Sequence, residues 1–198
     1  MAVERRWLYA GLLVAAGAAA GLARAIRGPK VRPDSRVLVV GDSLAVGLSP
    51  SLKALAKEQG VQIESLALSG TRIDQWAGSR KLEEKLAAFR PTLVLVSLGT
   101  NDEYLQPQTG GAVVGRQRPH LDALLSKIEA SGAEVAWIGP PQLPKPQSNG
   151  VVAMLQDVIP RSHYFFSEQL EIPRGPDGLH PNVRGYAGWA GTIWHWLS

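Results

Sequence analysis

The sequence predicts an α/β protein: one parallel sheet with helices on both faces. Three observations carry that reading. From Arg36 onward, short apolar runs alternate with stretches of helical periodicity, as in strand–helix–strand units. The run Thr92–Leu98 is apolar on both faces and therefore belongs in the middle of the sheet. The polar residues suited to chemistry follow apolar runs or lie in a loop, and in an open parallel sheet this collects them at the carboxyl rim.

Composition narrows the class. A chain of 198 residues with 45% hydrophobic and 19% charged residues supports one domain with a sizeable core. The net charge of +4 is modest. Arg24, Arg27, Lys30, Arg32 and Arg36 sit beside an N-terminal apolar segment, which points to a membrane-proximal collar and to no nucleic-acid partner. The absence of cysteine excludes disulfides, thiolate metal sites and a cysteine nucleophile.

Trp7–Ala23 is uncharged, rich in Leu, Val and Ala, and preceded by Arg5 and Arg6. As a helix it would reach about 25 Å, slightly short of a hydrocarbon core of roughly 30 Å. Residues 1–27 are read as an N-terminal membrane anchor or signal segment. The arginines that follow suit clean export poorly, so an uncleaved anchor with the domain facing outward is preferred, in the cell envelope. The same basic residues favour a cytoplasmic side by the charge rule. Residues 28–35, with two prolines, read as a linker, and residues 36–198 as the domain.

Within the domain, the first strand is expected over Arg36–Val40. A helix follows with Ser49 and Pro50 as cap and first position, burying Leu52, Leu55 and Ala56; Leu44–Leu48 would form a separate turn. Val61–Leu68 reads as the second strand. Ser79–Phe89 reads as a helix stopped by Arg90-Pro91. After the Thr92–Leu98 strand comes a long loop, Tyr104–Arg116. A helix then carries Leu121, Leu124, Leu125 and Ile128 and ends at Gly132. Glu134–Ile138 is the fourth strand, Gly139–Asn149 is proline-rich and irregular, Val151–Val158 is helical, and His163–Phe166 is the fifth strand. The last helix spans Val183–Leu197. Gly185, Gly188 and Gly191 would let it approach the sheet, and Tyr186, Trp189, Ile193 and Trp196 form a core-facing stripe.

The chemistry starts at Gly41-Asp42-Ser43-Leu44, where a buried strand ends and delivers a serine. A serine hydroxyl needs a base within hydrogen-bond reach, and the base needs an orienting group. Asp177-Gly178-Leu179-His180-Pro181 can supply both from one loop. Its carboxylate would accept from the His180 Nδ1 and leave Nε2 to face Ser43. Attack on an ester carbonyl creates an oxyanion. The candidate donors are the backbone N–H groups of Ser43 and Gly70 and the side-chain amide of Asn101, each suited to stabilise it by roughly 3–4 kcal/mol. Asp42 and Asp102 are expected to tie loops together by accepting backbone N–H groups.

Gly41-Asp42-Ser43-Leu44, then Gly70, then Gly99-Thr100-Asn101-Asp102, then Asp177-Gly178-Leu179-His180-Pro181 resemble the ordered blocks of the SGNH hydrolases, also called GDSL esterases/lipases. The similarity runs from about Arg36 to the C-terminus. It implies a three-layer α/β/α sandwich with a five-stranded parallel sheet in flavodoxin-like order. It also implies Ser43 as nucleophile, His180 as base, Asp177 as its orienting acid, and an oxyanion hole made of Ser43, Gly70 and Asn101. No metal or other cofactor is expected.

An α/β-hydrolase nucleophile elbow is disfavoured because Ala45 stands where G-x-S-x-G has its second glycine. A G-x-G-x-x-G dinucleotide loop is absent. A metallophosphoesterase is disfavoured because too few carboxylates and histidines gather at the rim. The expected activity is hydrolysis of a carboxylic ester on a small molecule or carbohydrate, with short acyl groups such as O-acetyl preferred because no long apolar lid is visible. An acyltransferase with the same triad and a non-catalytic glycan-binding module are the alternatives. Substrate choice is expected in Ile73–Ser79, Tyr104–Arg116 and Gly139–Asn149, which carry Trp76 and Tyr104.

Overall fold

Five short strands build the sheet: β1 (Arg36–Gly41), β2 (Gln62–Ala67), β3 (Leu93–Ser97), β4 (Glu134–Ile138) and β5 (Tyr164–Phe165). All neighbours are parallel, and the order is β2-β1-β3-β4-β5, the flavodoxin-like order. The computed structural model describes residues 28–104, 112–143 and 149–198. The expected membrane or signal segment, residues 1–27 with its apolar stretch 7–23, lies outside the described residues. Among the described residues, no helix is long and apolar enough to cross a membrane.

The layers follow from the two-residue period of the strands. Val37 and Val39 of β1, Leu93 and Leu95 of β3, Ala136 and Ile138 of β4, and Phe165 of β5 point to one face. There they meet α1 (Ser43–Glu58) and α7 (Val183–Leu197). Leu38 and Val40, Val94 and Val96, Val135 and Trp137, and Tyr164 point to the other face. That face is covered by α2 (Ile73–Ala77), α3 (Arg80–Phe89), α5 (Ala112–Ala130) and α6 (Val151–Val158). The short α4 (Thr100–Tyr104) lies directly after β3. The result is the expected three-layer α/β/α sandwich.

Local expectations fail in instructive places. α1 runs unbroken from Ser43 through Pro50, so no separate turn precedes the proline. Pro50 is exposed and only withdraws one N–H from the helix, while Leu44, Ala45 and Leu48 before it and Leu52 and Ala56 after it are buried on one stripe. Likewise α5 begins at Ala112, inside the stretch read as loop, and continues through Pro119. Its buried positions Val113, Gln117, Leu121, Leu124 and Ile128 keep a helical spacing across the proline.

In α7 the buried stripe is Trp189, Ala190, Ile193, Trp194 and Leu197, with Tyr186 and Trp196 only partly covered. The glycines do not approach the sheet. A Cβ at Gly188 or Gly191 would meet nothing within 4 Å, whereas one at Gly185 would lie 2.0 Å from the Pro173 carbonyl oxygen. The stretch 28–35 forms no regular element, yet it lies against the domain: Val31 N–H donates to Leu197 O at 2.8 Å.

Candidate active site

The carboxyl ends of β1, β2 and β3 lie side by side. Asp42 N–H donates to Ser97 O and Leu68 N–H to Gly41 O. Glycine is required at 41, because a Cβ there would fall 2.1 Å from Ser97 O and 2.6 Å from the Ala45 Cβ. The chain then turns directly into α1. Asp42 caps it, its Oδ1 accepting from Leu44 N at 2.9 Å, so Ser43 occupies the first helical position. That position places the hydroxyl at the positive end of the helix.

The loop before α7 brings the other two groups to Ser43. His180 Nε2 lies 2.8 Å from Ser43 Oγ, and His180 Nδ1 lies 2.6 Å from Asp177 Oδ2. Asp177 Oδ1 accepts from the backbone N–H groups of Leu179 and His180, each at 3.0 Å. The hydrogen bond from the His180 ring, followed by these backbone donors, holds the Asp177 carboxyl down at about 2. With Asp177 ionised, a proton on His180 Nδ1 would face that carboxylate and leave Nε2 to accept from the serine hydroxyl.

Asn101 ties the three strand ends together. Its Nδ2 donates to Thr71 O at 2.8 Å and to Asp42 Oδ2 at 3.4 Å. One contact is the residue after Gly70 and the other the residue before Ser43, so the segments that carry the three expected oxyanion donors are tied together. Gly70 has φ +77°, a left-handed conformation that glycine adopts without strain, and it is exposed. The Ser43 and Gly70 N–H groups find no acceptor among the described residues. The Asn101 amide is engaged, and its longer bond to Asp42 is the one a ligand could displace.

Around this cluster lie two buried carboxylates. Burial pushes Asp42 up to about 6, against the helix N–H groups that favour its charge. Burial likewise pushes Asp102 up to about 7; its Oδ2 accepts from Ile73 N at 3.4 Å. Both accept backbone N–H groups. The next residue, Glu103, was not singled out from the sequence. It is buried, and its Oε2 accepts from Val151 and Val152 N–H, capping α6, whose own cap residue, Gly150, has no side chain. Asn149 Nδ2 donates to Asp102 O at 3.1 Å. The Thr100–Tyr104 segment is thereby fastened to the start of α6.

A serine–histidine–acid chain is not distinctive by itself. Ser162 Oγ lies 3.0 Å from His163 Nδ1, and His163 Nε2 lies 2.9 Å from Glu134 Oε1. That chain stands at the amino end of β4, the rim opposite Ser43, and His163 is buried. The Ser43 chain differs in its helix N-terminus, its adjacent N–H donors and its exposure. Trp76, read as a residue of a substrate loop, is core: it is 2% exposed, and its Nε1 donates to Thr71 Oγ1. Among the described residues, no group of three or more His, Cys, Asp or Glu side chains could hold a metal ion.

This strand order, layering and set of carboxyl-rim loops define the SGNH hydrolase fold. Three solved structures show the likeness. A psychrotrophic esterase from Pseudoalteromonas sp., inhibited by monoethylphosphonate, superposes with TM-score 0.57 and 20% identity over 82% of this chain and 99% of that one. A family 3 carbohydrate esterase from Clostridium thermocellum gives 0.58 and 20% over 81% and 94%. An acetylxylan esterase from Geobacillus stearothermophilus, solved as a catalytic mutant, gives 0.55 and 17% over 85% and 96%. More particularly, the chain belongs to DUF459, described as a protein of unknown function, whose family model matches residues 36–164. The match contains Ser43, Gly70 and Asn101 and stops before the Asp177–His180 loop. No curated protein sequence matches the chain.

Proposed function

We propose that the protein is a serine carboxylic-ester hydrolase. The observation that carries this reading is the hydrogen-bonded chain Ser43–His180–Asp177, which opens at a helix N-terminus beside two uncommitted backbone N–H groups. Ser43 Oγ attacks the ester carbonyl while His180 Nε2 takes its proton. The carbonyl oxygen, now an anion, is held by the N–H groups of Ser43 and Gly70 and by the Asn101 amide, which turns from Asp42 toward it. As the intermediate collapses, His180 returns the proton to the leaving alcohol. Water, deprotonated by the same imidazole, then frees the acid from Ser43.

Short acyl groups on carbohydrate are the favoured substrates, supported by the carbohydrate and acetylxylan esterases among the structural neighbours. An envelope location rests on the apolar stretch 7–23 and is tested by fractionating cells that express the chain with and without residues 1–27. The activity is tested by treating the protein with an aryl-ester panel and an alkyl fluorophosphonate. Hydrolysis of a short-chain ester and a phosphonyl adduct at Ser43 are expected, both lost in Ser43→Ala with its fold retained. Turnover persisting in that variant would refute the nucleophile, and no adduct with no turnover would favour a binding module.

A further inference from the structure

Arg174 lies between β5 and the Asp177–His180 loop and links two loops of the rim. One terminal nitrogen donates to the Leu179 carbonyl, the residue before His180. The other donates to the Gln142 carbonyl, in the loop after β4, at 2.6 Å. Arg174 forms part of the wall of a groove of about 520 Å³, lined also by Gln142, Leu143 and Leu170–Pro173. That volume is in the range of small-ligand sites. Arg174 connects this groove to the loop that carries Asp177 and His180. Tyr104, at the end of α4, and Asp177 both lie within electrostatic reach of Arg174.

Among the described residues, Arg174 has no salt-bridged counter-ion. Burial is the largest influence on it and disfavours its charge. Asp177 has both oxygens committed to His180 and to backbone donors. Glu171 lies at the same groove but is exposed. Fastening two carbonyls would need only two neutral donors. An arginine offers five N–H groups in a planar fork that matches a carboxylate or phosphate, so three remain after the carbonyls are served. A partly desolvated cation with spare donors beside a reaction centre is suited to an anionic ligand.

The side of the ester follows from the mechanism. In the proposed mechanism His180 delivers its proton to the leaving alcohol, and Arg174 is anchored to the carbonyl one residue before His180, which assigns its ligand to the alcohol portion. We infer that the natural substrate is an ester whose alcohol portion carries an anionic group, a carboxylate or a phosphate, held by Arg174 in the Gln142–Arg174 groove; this rests on the esterase reading.

The test uses the full chain and matched acetyl esters: 4-acetoxybenzoate, its neutral amide 4-acetoxybenzamide, and 4-acetoxyphenyl phosphate. The wild type should favour at least one anionic ester over the amide by about tenfold or more in kcat/KM, mainly through KM. The carboxylate and phosphate arms tell which anion is meant. Arg174→Gln should collapse that ratio, and Arg174→Lys should keep part of it. Equal losses on charged and neutral esters in Arg174→Gln, or no anion preference in the wild type, would overturn the inference and leave Arg174 a loop fastener. If no ester is turned over, the esterase reading fails separately. Calorimetry with 4-acetoxybenzoate and Ser43→Ala protein then decides for the anion site: binding lost on adding Arg174→Gln supports it, and no binding overturns it.

Discussion

Asp102 offers a quantitative test of how the strand ends are held. Its side chain is fully buried, its Oδ2 accepts from Ile73 N, and its Oδ1 has no partner among the described residues. Burial raises its carboxyl from 3.8 to about 7. Between those values the folded protein keeps a proton that the unfolded chain has released. Stability therefore falls as pH rises through this window, by about 1.4 kcal/mol per pH unit, and levels off above about 7. The total is on the order of 4 kcal/mol, a large fraction of a domain's stability. Asp42 acts in the same direction over the narrower window from 3.8 to about 6.

Asp102→Asn removes the titration while its amide oxygen keeps the Ile73 N–H. The new amide N–H groups have no waiting acceptor and cost about 1–3 kcal/mol, but at every pH alike. Slope is therefore the measure. Urea unfolding followed by tryptophan fluorescence from pH 4 to 9 should show a shallower decline in the variant between pH 4 and 7, with the residual slope from Asp42 confined below about pH 6. Relative to the parent, the variant should gain stability toward pH 8. Parallel curves for the two proteins would refute the assignment of Asp102 as a carboxyl that stays protonated in the fold.

Other perturbations test the site itself. Asn101→Ala should lower kcat by roughly 10²–10³ with little change in KM, and should also destabilise by about 1–3 kcal/mol because Thr71 O loses its donor; a rise in KM alone would make Asn101 a ground-state binder. Asp177→Asn should lower kcat by about 10³–10⁴ at neutral pH, since the imidazole loses the acceptor that fixes its tautomer; a loss below tenfold would remove Asp177 from the mechanism. Gly47→Val should destabilise by about 1–3 kcal/mol and slow turnover, because a Cβ at 47 would lie 2.0 Å from the Tyr186 ring at the start of α7; an unchanged melting temperature would show that the ring yields freely.

The layers were legible because a strand covered on both faces must be apolar at every position, and unbroken apolar runs stand from Val37 to Val40 and from Leu93 to Val96. Helix limits were less legible at Pro50 and Pro119. A proline costs a helix one hydrogen bond and some strain locally, and burial of Leu48 with Leu52, or Val113 with Leu121, outweighs that cost only once the sheet is present. Ser43, Asn101 and His180 could be picked out because each stands in a short block after a strand or in a loop. Arg174, Glu103 and Tyr186 could not. Their partners at Gln142, Val151 and Gly47 are brought near by the order of the strands, and no spacing along the chain records that meeting.

The three aspartates around the site differ in charge through their surroundings. Asp177 is half exposed and receives three hydrogen bonds, so it stays ionised down to about pH 2. The favourable pairing it makes is present above its unfolded value of 3.8 and is lost only as pH falls toward 2. Asp42 and Asp102 are buried, and their charge is disfavoured by desolvation. An orienting acid for a histidine base must remain charged while the imidazole gains and loses its proton, and of the three carboxyls Asp177 meets that condition with the widest margin. Asp42 lies closer to Ser43 in sequence, yet its Oδ1 is spent on the cap of α1 and its Oδ2 on Asn101. Its position explains a different duty. By accepting the longer of the amide's two bonds, it holds the Asn101 side chain beside Ser43.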